Sequence, residues 1–202
     1  IVHDGVMFLS MPGGIVHALD AATGDFLWQY RHQMTKGFTP GGTGGIRGGL
    51  VLYDDKGFIH AADGKIDAIN LRNGTKAFET SLYDAGDGHS PSSGTGLAVE
   101  GKIISGVNCE EGGRCFVGAI DARTGERAWR FYTTANPGEP GGDTWDGLPP
   151  EKRGGSSGNP WITGTYDPNL RLTFWGASQA RPLAQAPATP VARPQIQAST
   201  PR

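Results

Sequence analysis

Apolar and polar residues alternate along most of this chain in short runs, each ending at Gly, Asp or Asn. A period of two predicts half-buried β-strands. The pattern is clearest in AIDARTGERAWRF, Ala119 to Phe131, and it recurs in ALDAATGDFLWQY from Ala18 and AINLRNGTKAFET from Ala68. Each copy has a strand end, an Asp or Asn, a turn closed by Gly24, Gly74 or Gly125, and a second strand carrying Trp28, Phe78 or Trp129. That is a β-hairpin: the Gly supplies the positive φ of the turn, and the polar residue bonds its own backbone. VHDGVMFLS, LYDDKGFIHAA and AVEGKIISGV precede the three hairpins and predict a further strand-turn-strand in each unit, with Asp4, Asp54 and Glu100 in the turns.

The hairpins start 50 and 51 residues apart. A fixed period of about 50 residues with four short strands to a unit predicts an all-β fold, a partial β-propeller of four-stranded antiparallel blades. A fourth unit begins in WITGTYDPNLRLTFWG, Trp161 to Gly176, where Asp167-Pro168-Asn169 predicts a type I turn and the alternation places Leu170, Leu172 and Phe174 on one face. Residues 1–182 are thus expected to form about three and a half blades. Gly/Pro/Ser-rich connections run from Met34 to Gly49, Asp84 to Gly96 and Ala135 to Pro160. Loops this long are where function concentrates, and in a propeller they gather on one face around the axis. The segment 183–202, rich in Ala, Pro and Gln, abandons the pattern and is expected to be disordered. Because so few blades do not close a ring, the expectation is part of a longer protein, with a tail of the kind a reading-frame change produces.

Composition narrows this further. With 33 Gly, 14 Pro and 19% charged residues, the chain is rich in turns and poor in helix formers. A net charge of −2 without basic clusters predicts neither nucleic-acid nor membrane-surface binding. No apolar run approaches the roughly 18 residues of a membrane span. Cys109 and Cys115 flank EEGGR, close enough for a small disulfide, with a pair of reduced thiols as the alternative. Two thiols without further Cys or His nearby do not make a metal site.

The repeats A-[LI]-D-x-x-T-G-x-x-x-W, followed by FYTTANPGEPGGDTW and TYDPNLRLTFWG, resemble the quinoprotein alcohol dehydrogenases. The resemblance implies an eight-bladed propeller, blades locked by tryptophan docking motifs, and pyrroloquinoline quinone (PQQ) with Ca²⁺ on the axis. It also implies a periplasmic enzyme that oxidises an alcohol to an aldehyde or ketone and passes electrons to a cytochrome c or similar acceptor. By matching segments, Arg47 in IRGGLVLY falls on a PQQ-contacting Arg, and Glu110 in NCEEGGRCFV on a Ca²⁺-ligating Glu that also borders the cofactor. Trp161 falls on the Trp that stacks on the cofactor ring. Gln179 in GASQARP stands where the family commonly has a Ca²⁺-ligating Asn; its amide oxygen also suits a hard cation, with a longer reach. The chemistry agrees: a guanidinium fork fits a tricarboxylate cofactor, a carboxylate fits Ca²⁺, and an indole face fixes a ring plane.

Two departures matter. The adjacent cysteines that many members set against the second face of PQQ are not in Met34 to Gly49, so Cys109 and Cys115 read as a separate loop staple beside Glu110. No segment here matches the one carrying the family's catalytic Asp, so the chain by itself is expected to be inactive. On their own residue types, Glu110 and Arg47 are also compatible with solvated loop charges, and Trp28, Trp129 and Trp175 with core or docking aromatics. The alternative function is a non-catalytic propeller that serves as a scaffold for other proteins.

Overall fold

The computed structural model describes residues 1–38, 46–110, 113–145, 149 and 157–179, with backbone alone for residues 46–48. The tail from residue 183 onward lies outside these. The first unit is one antiparallel sheet in chain order, β1 (Val2–His3), β2 (Val6–Met11), β3 (Ile15–Asp20) and β4 (Phe26–Arg31). The second repeats it with β5 (Ile46–Tyr53), β6 (Lys56–Ala61), β7 (Lys65–Asn70) and β8 (Lys76–Ser81). In the third, β11 (Lys102–Cys109), β12 (Phe116–Asp121) and β13 (Arg127–Tyr132) follow an inner strand split into β9 (His89–Pro91) and β10 (Leu97–Val99), both paired with β11. The fourth consists of β14 (Thr165–Asp167) and β15 (Leu172–Phe174). A short 3₁₀ turn, Gly142–Trp145, is the helical element among the described residues.

The turns are built as the sequence demands. Asp20 Oδ1 accepts the N–H groups of Ala22 and Thr23, Asp121 Oδ1 those of Arg123 and Thr124, and Gly24, Gly74 and Gly125 all have φ between 70° and 82°. Asp4, Asp54 and Glu100 take φ of 44–56°, a left-handed conformation in which an acidic side chain is tolerated in tight hairpins. Each outer hairpin shifts register one residue after its Ala (Ala18, Ala68 and Ala119), the Ala that faces Trp28, Phe78 or Trp129 across the ladder.

The units then dock on one another through those aromatics. A Cβ on Gly74 would lie 2.5 Å from the Trp28 ring, and one on Gly125 would lie 2.7 Å from Phe78, so each ring of one unit rests on the glycine of the next. Gly24, at the same position of the first unit, has nothing within 4 Å among the described residues. The cores lie between sheets. Phe8, Val16, Ile59 and Ile69 fill the first interface, and Phe58, Ile103, Val107 and Phe116 the second. At the third, Ile104 and Val117 pack with Trp129, Tyr166 and Trp175. Glu100 closes that interface by pairing with Arg171 at 2.7 Å and accepting from Tyr166 Oη, which together hold its carboxyl down at about 2.

One expectation is corrected here. Leu170 is exposed in the turn before β15, and the buried position of that strand is Thr173, flanked by half-buried Leu172 and Phe174. Arg171 at φ 53° extends the turn by two residues beyond Asn169, which removes Leu170 from the strand.

Candidate cofactor site

The split inner strand of the third unit organises the site. Between β9 and β10, residues 92–96 leave the ladder, and a break of this kind frees side chains to face away from the sheet. Thr95 Oγ1 accepts from Gly49 N at 2.6 Å, two residues from Arg47 on β5, and Thr95 O accepts from Thr163 Oγ1 at 2.7 Å. Ser92 Oγ and Ser93 Oγ donate to Pro160 O and Trp161 O. A Cβ on Gly94 would lie 2.9 Å from the Ile162 carbonyl carbon, and one on Gly106 would lie 2.0 Å from Pro160 O. Glycine at both positions lets the 160–163 segment cross the third sheet at backbone contact.

Trp161 is therefore pinned through its backbone while its side chain stays open: the residue is 52% exposed. Gln179, also exposed, is tethered to the same segment, since Ser178 N donates to Asn159 O and Asn159 N to Ser178 Oγ. Arg47 lies on β5, and its side chain is outside the described residues. Glu110 follows β11 and extends the ladder by donating its N–H to Gly88 O at 2.8 Å. Its carboxylate reaches over Gly88, whose Cβ position is 3.9 Å from Glu110 Oε2.

The stretch that carries Glu110 is fastened on both sides. Cys109 and Cys115 form a disulfide with Cα atoms 4.7 Å apart. Arg114 donates to Thr134 O, pairs with Glu139 at 2.7 Å and lies 4.0 Å over the Tyr132 ring. His89 Nε2 meets Arg114 O, and its Nδ1 meets Asp87. β5, the 92–96 break, the 160–163 segment and the end of β11 are thus linked in sequence through shared contacts. No hydrogen bond joins Glu110, Trp161 and Gln179 directly among the described residues.

A second polar cluster sits between the first and second sheets. Asp67, fully buried on β7, accepts from Tyr30 Oη at 2.6 Å and lies 2.5 Å from His32 Nδ1, while His32 Nε2 faces Asp63 at 3.2 Å. Lys76 sits 3.8 Å from Asp67 and 2.8 Å from Glu79, and Lys65 also pairs with Glu79. Burial opposes the His32 imidazolium most, yet the bonds to Asp67 and Asp63 together outweigh it and raise its pKa. His32, Asp67 and Glu79 place ligand atoms within 4.8 Å of one another. Asp67 and Asp63 are already met by His32, and Glu79 by Lys76 and Lys65, so the carboxylates are partnered without a metal and the cluster acts as an ion lock between blades. Nothing in the sequence pattern marks it: a lone His after an aromatic strand and an Asp inside KIDAIN carry no spacing signal. Ser92 to Thr95 and Asn108 were equally silent.

The fold and this arrangement define a quinoprotein-type propeller. The chain belongs to the PQQ family described as the glucose/ethanol/alcohol dehydrogenase β-propeller domain, which matches residues 1–184. It is 34% identical over 195 residues to quinohemoprotein alcohol dehydrogenase ADH IIB of Pseudomonas putida, covering 90% of this chain and 28% of that protein. It is 29% identical over 202 residues to the quinohemoprotein alcohol dehydrogenase of Comamonas testosteroni, covering 94% of this chain and 28% of the relative. The crystal structure of the Comamonas testosteroni enzyme superposes with a TM-score of 0.72 at 27% identity, over 90% of this chain and 29% of that one. A europium-containing methanol dehydrogenase gives 0.72 at 25% identity, over 89% and 34%. BamB from Moraxella catarrhalis, at 17% identity and a TM-score of 0.56 over 86% and 44%, shares the fold alone. The chain thus spans under a third of the length of these curated relatives.

Proposed function

We propose that this chain forms part of the cofactor-binding propeller of a PQQ-dependent dehydrogenase that oxidises an alcohol to an aldehyde or ketone. The observation that carries the reading is the seating of the Trp161 segment on the 92–96 break, beside the strand of Arg47. The residues fit the cofactor. An exposed indole with a pinned backbone offers a stacking face, and an exposed carboxylate over a glycine leaves room for a ligand. When bound, PQQ takes up the two electrons of the alcohol, and a hard cation such as Ca²⁺ polarises its quinone.

In this reading Trp161 fixes the ring plane and excludes water, Arg47 pairs with a cofactor carboxylate, and Glu110 supplies a cation ligand. Gln179, tethered through Ser178, supplies an amide oxygen. Electrons leave to a cytochrome c or similar acceptor. The disulfide favours an oxidising compartment, consistent with the periplasm. No residue matches the family's catalytic Asp, so the isolated chain is expected to bind the cofactor without turning over alcohol.

The test is a titration of the chain with PQQ in the presence of Ca²⁺, followed by tryptophan fluorescence, with a dye-linked alcohol oxidation assay alongside. Saturable quenching that Trp161→Ala reduces supports the reading. Quenching unaffected by Trp161→Ala, or none, supports a protein-binding scaffold instead, and alcohol turnover by the isolated chain contradicts its expected inactivity.

A further inference from the structure

Among the described residues, three asparagines keep a buried amide oxygen without a hydrogen-bond partner: Asn108, Asn136 and Asn159. Asn108 is the one on the strand that leads to Glu110. Its amide orientation is fixed by chemistry, because Pro91 O, 3.2 Å away, can only accept and so must face Nδ2. Oδ1 is then the atom left without a donor. A buried acceptor in that state is destabilising until a donor or a cation reaches it.

Position adds to this. Asn108 faces Ser90 across the ladder, and the ladder continues through Cys109 and His89 to the Glu110 N–H bond with Gly88 O. The backbone is therefore extended from 108 to 110, and a period of two puts both side chains on one face of the strand. Both reach the neighbouring 88–91 segment, the amide nitrogen at Pro91 and the carboxylate above Gly88. The disulfide at Cys109 holds the residue between them.

We propose that Asn108 Oδ1 is a second oxygen ligand, beside Glu110, for the hard cation of this site. The assignment rests on the reading of Glu110 above. A carbonyl oxygen next to a carboxylate is the donor set such cations take, and affinity follows the ligand charge. That gives a sign by which a ligand differs from a structural residue. Asn108→Asp adds a charged oxygen for a cation, but sets an oxygen against Pro91 O in the empty protein.

The experiment is terbium luminescence, sensitised by the chain's own tryptophans, on the parent, Asn108→Asp, Asn108→Ala and Glu110→Gln, with thermal melting of each without metal. The expected result is terbium affinity about tenfold higher for Asn108→Asp and about tenfold lower for Asn108→Ala, while metal-free Asn108→Asp melts no higher than the parent. Unchanged or weaker binding by Asn108→Asp overturns the proposal, and if that variant does not fold, unchanged binding by Asn108→Ala does so. Glu110→Gln is expected to weaken binding about a hundredfold. If it binds as the parent does, the Glu110 reading itself fails, as both do if the parent binds no terbium.

Discussion

Two histidines at opposite ends of the charge scale set the behaviour of individual residues. His60, on β6, is buried with Nε2 unpaired, and burial pushes its pKa down to about 4. The unfolded chain binds a proton there below about pH 6.5 and the native chain does not, so stability is present at neutral pH and lost as the pH falls towards 4. The linkage is about 3 kcal/mol over that interval, read as a fall in the urea midpoint that His60→Leu removes. His32 runs the other way. Its pKa is raised, so its contribution is complete below the ordinary histidine range and disappears as pH climbs through the folded value. Melting temperature should fall in mildly alkaline buffer for the parent and stay flat for His32→Gln. Asp67→Ala, which leaves His32 and Tyr30 without their shared acceptor, is expected to cost about 3–5 kcal/mol at neutral pH by chemical denaturation.

At the scale of the element, the repeated hairpin separates local from tertiary cause. Gly24, Gly74 and Gly125 share a turn and a positive φ, and the same dipeptide logic makes all three readable in the sequence. Their neighbours differ: Gly74 and Gly125 lie under Trp28 and Phe78, and Gly24 is open. Ala at Gly24 therefore meets backbone strain alone, about 1–2 kcal/mol, whereas Ala at Gly74 or Gly125 also displaces a ring, adding about 1–3 kcal/mol. Thermal melts of the three variants give that difference, and equal losses at all three would remove the docking account. The fourth hairpin shows where reading by period stops. Alternation in LRLTFW assigns Leu170 to the buried face, but the left-handed Arg171 lengthens the turn, and a three-residue strand is too short for its pattern to set the register.

For the whole molecule, the repeat was legible because each blade solves the same packing problem with the same residues, and the long connections stood out by composition. Of the candidate site, the sequence offers motifs and not their seating. Trp161, Glu110 and Gln179 carry recognisable motifs, yet what seats them comes from residues about 50 to 70 apart in sequence, such as Thr95 with Gly49 and Ser92 with Pro160. Serines, threonines and a lone Asn have no periodicity that announces such pairings. The ion lock was hidden for the same reason: its charges lie mostly in the second blade, and Tyr30 and His32 of the first meet Asp67 and Asp63 after the sheets stack.

The proposed cofactor site requires those distant segments to frame one hollow at the blade ends. A crystal structure of the chain with PQQ and Ca²⁺ bound tests this most directly. The expected result is the quinone stacked on the Trp161 indole, with the cation in contact with Glu110 and a cofactor carboxylate at Arg47. PQQ bound elsewhere, or Glu110 and Trp161 facing separate solvent, would contradict it.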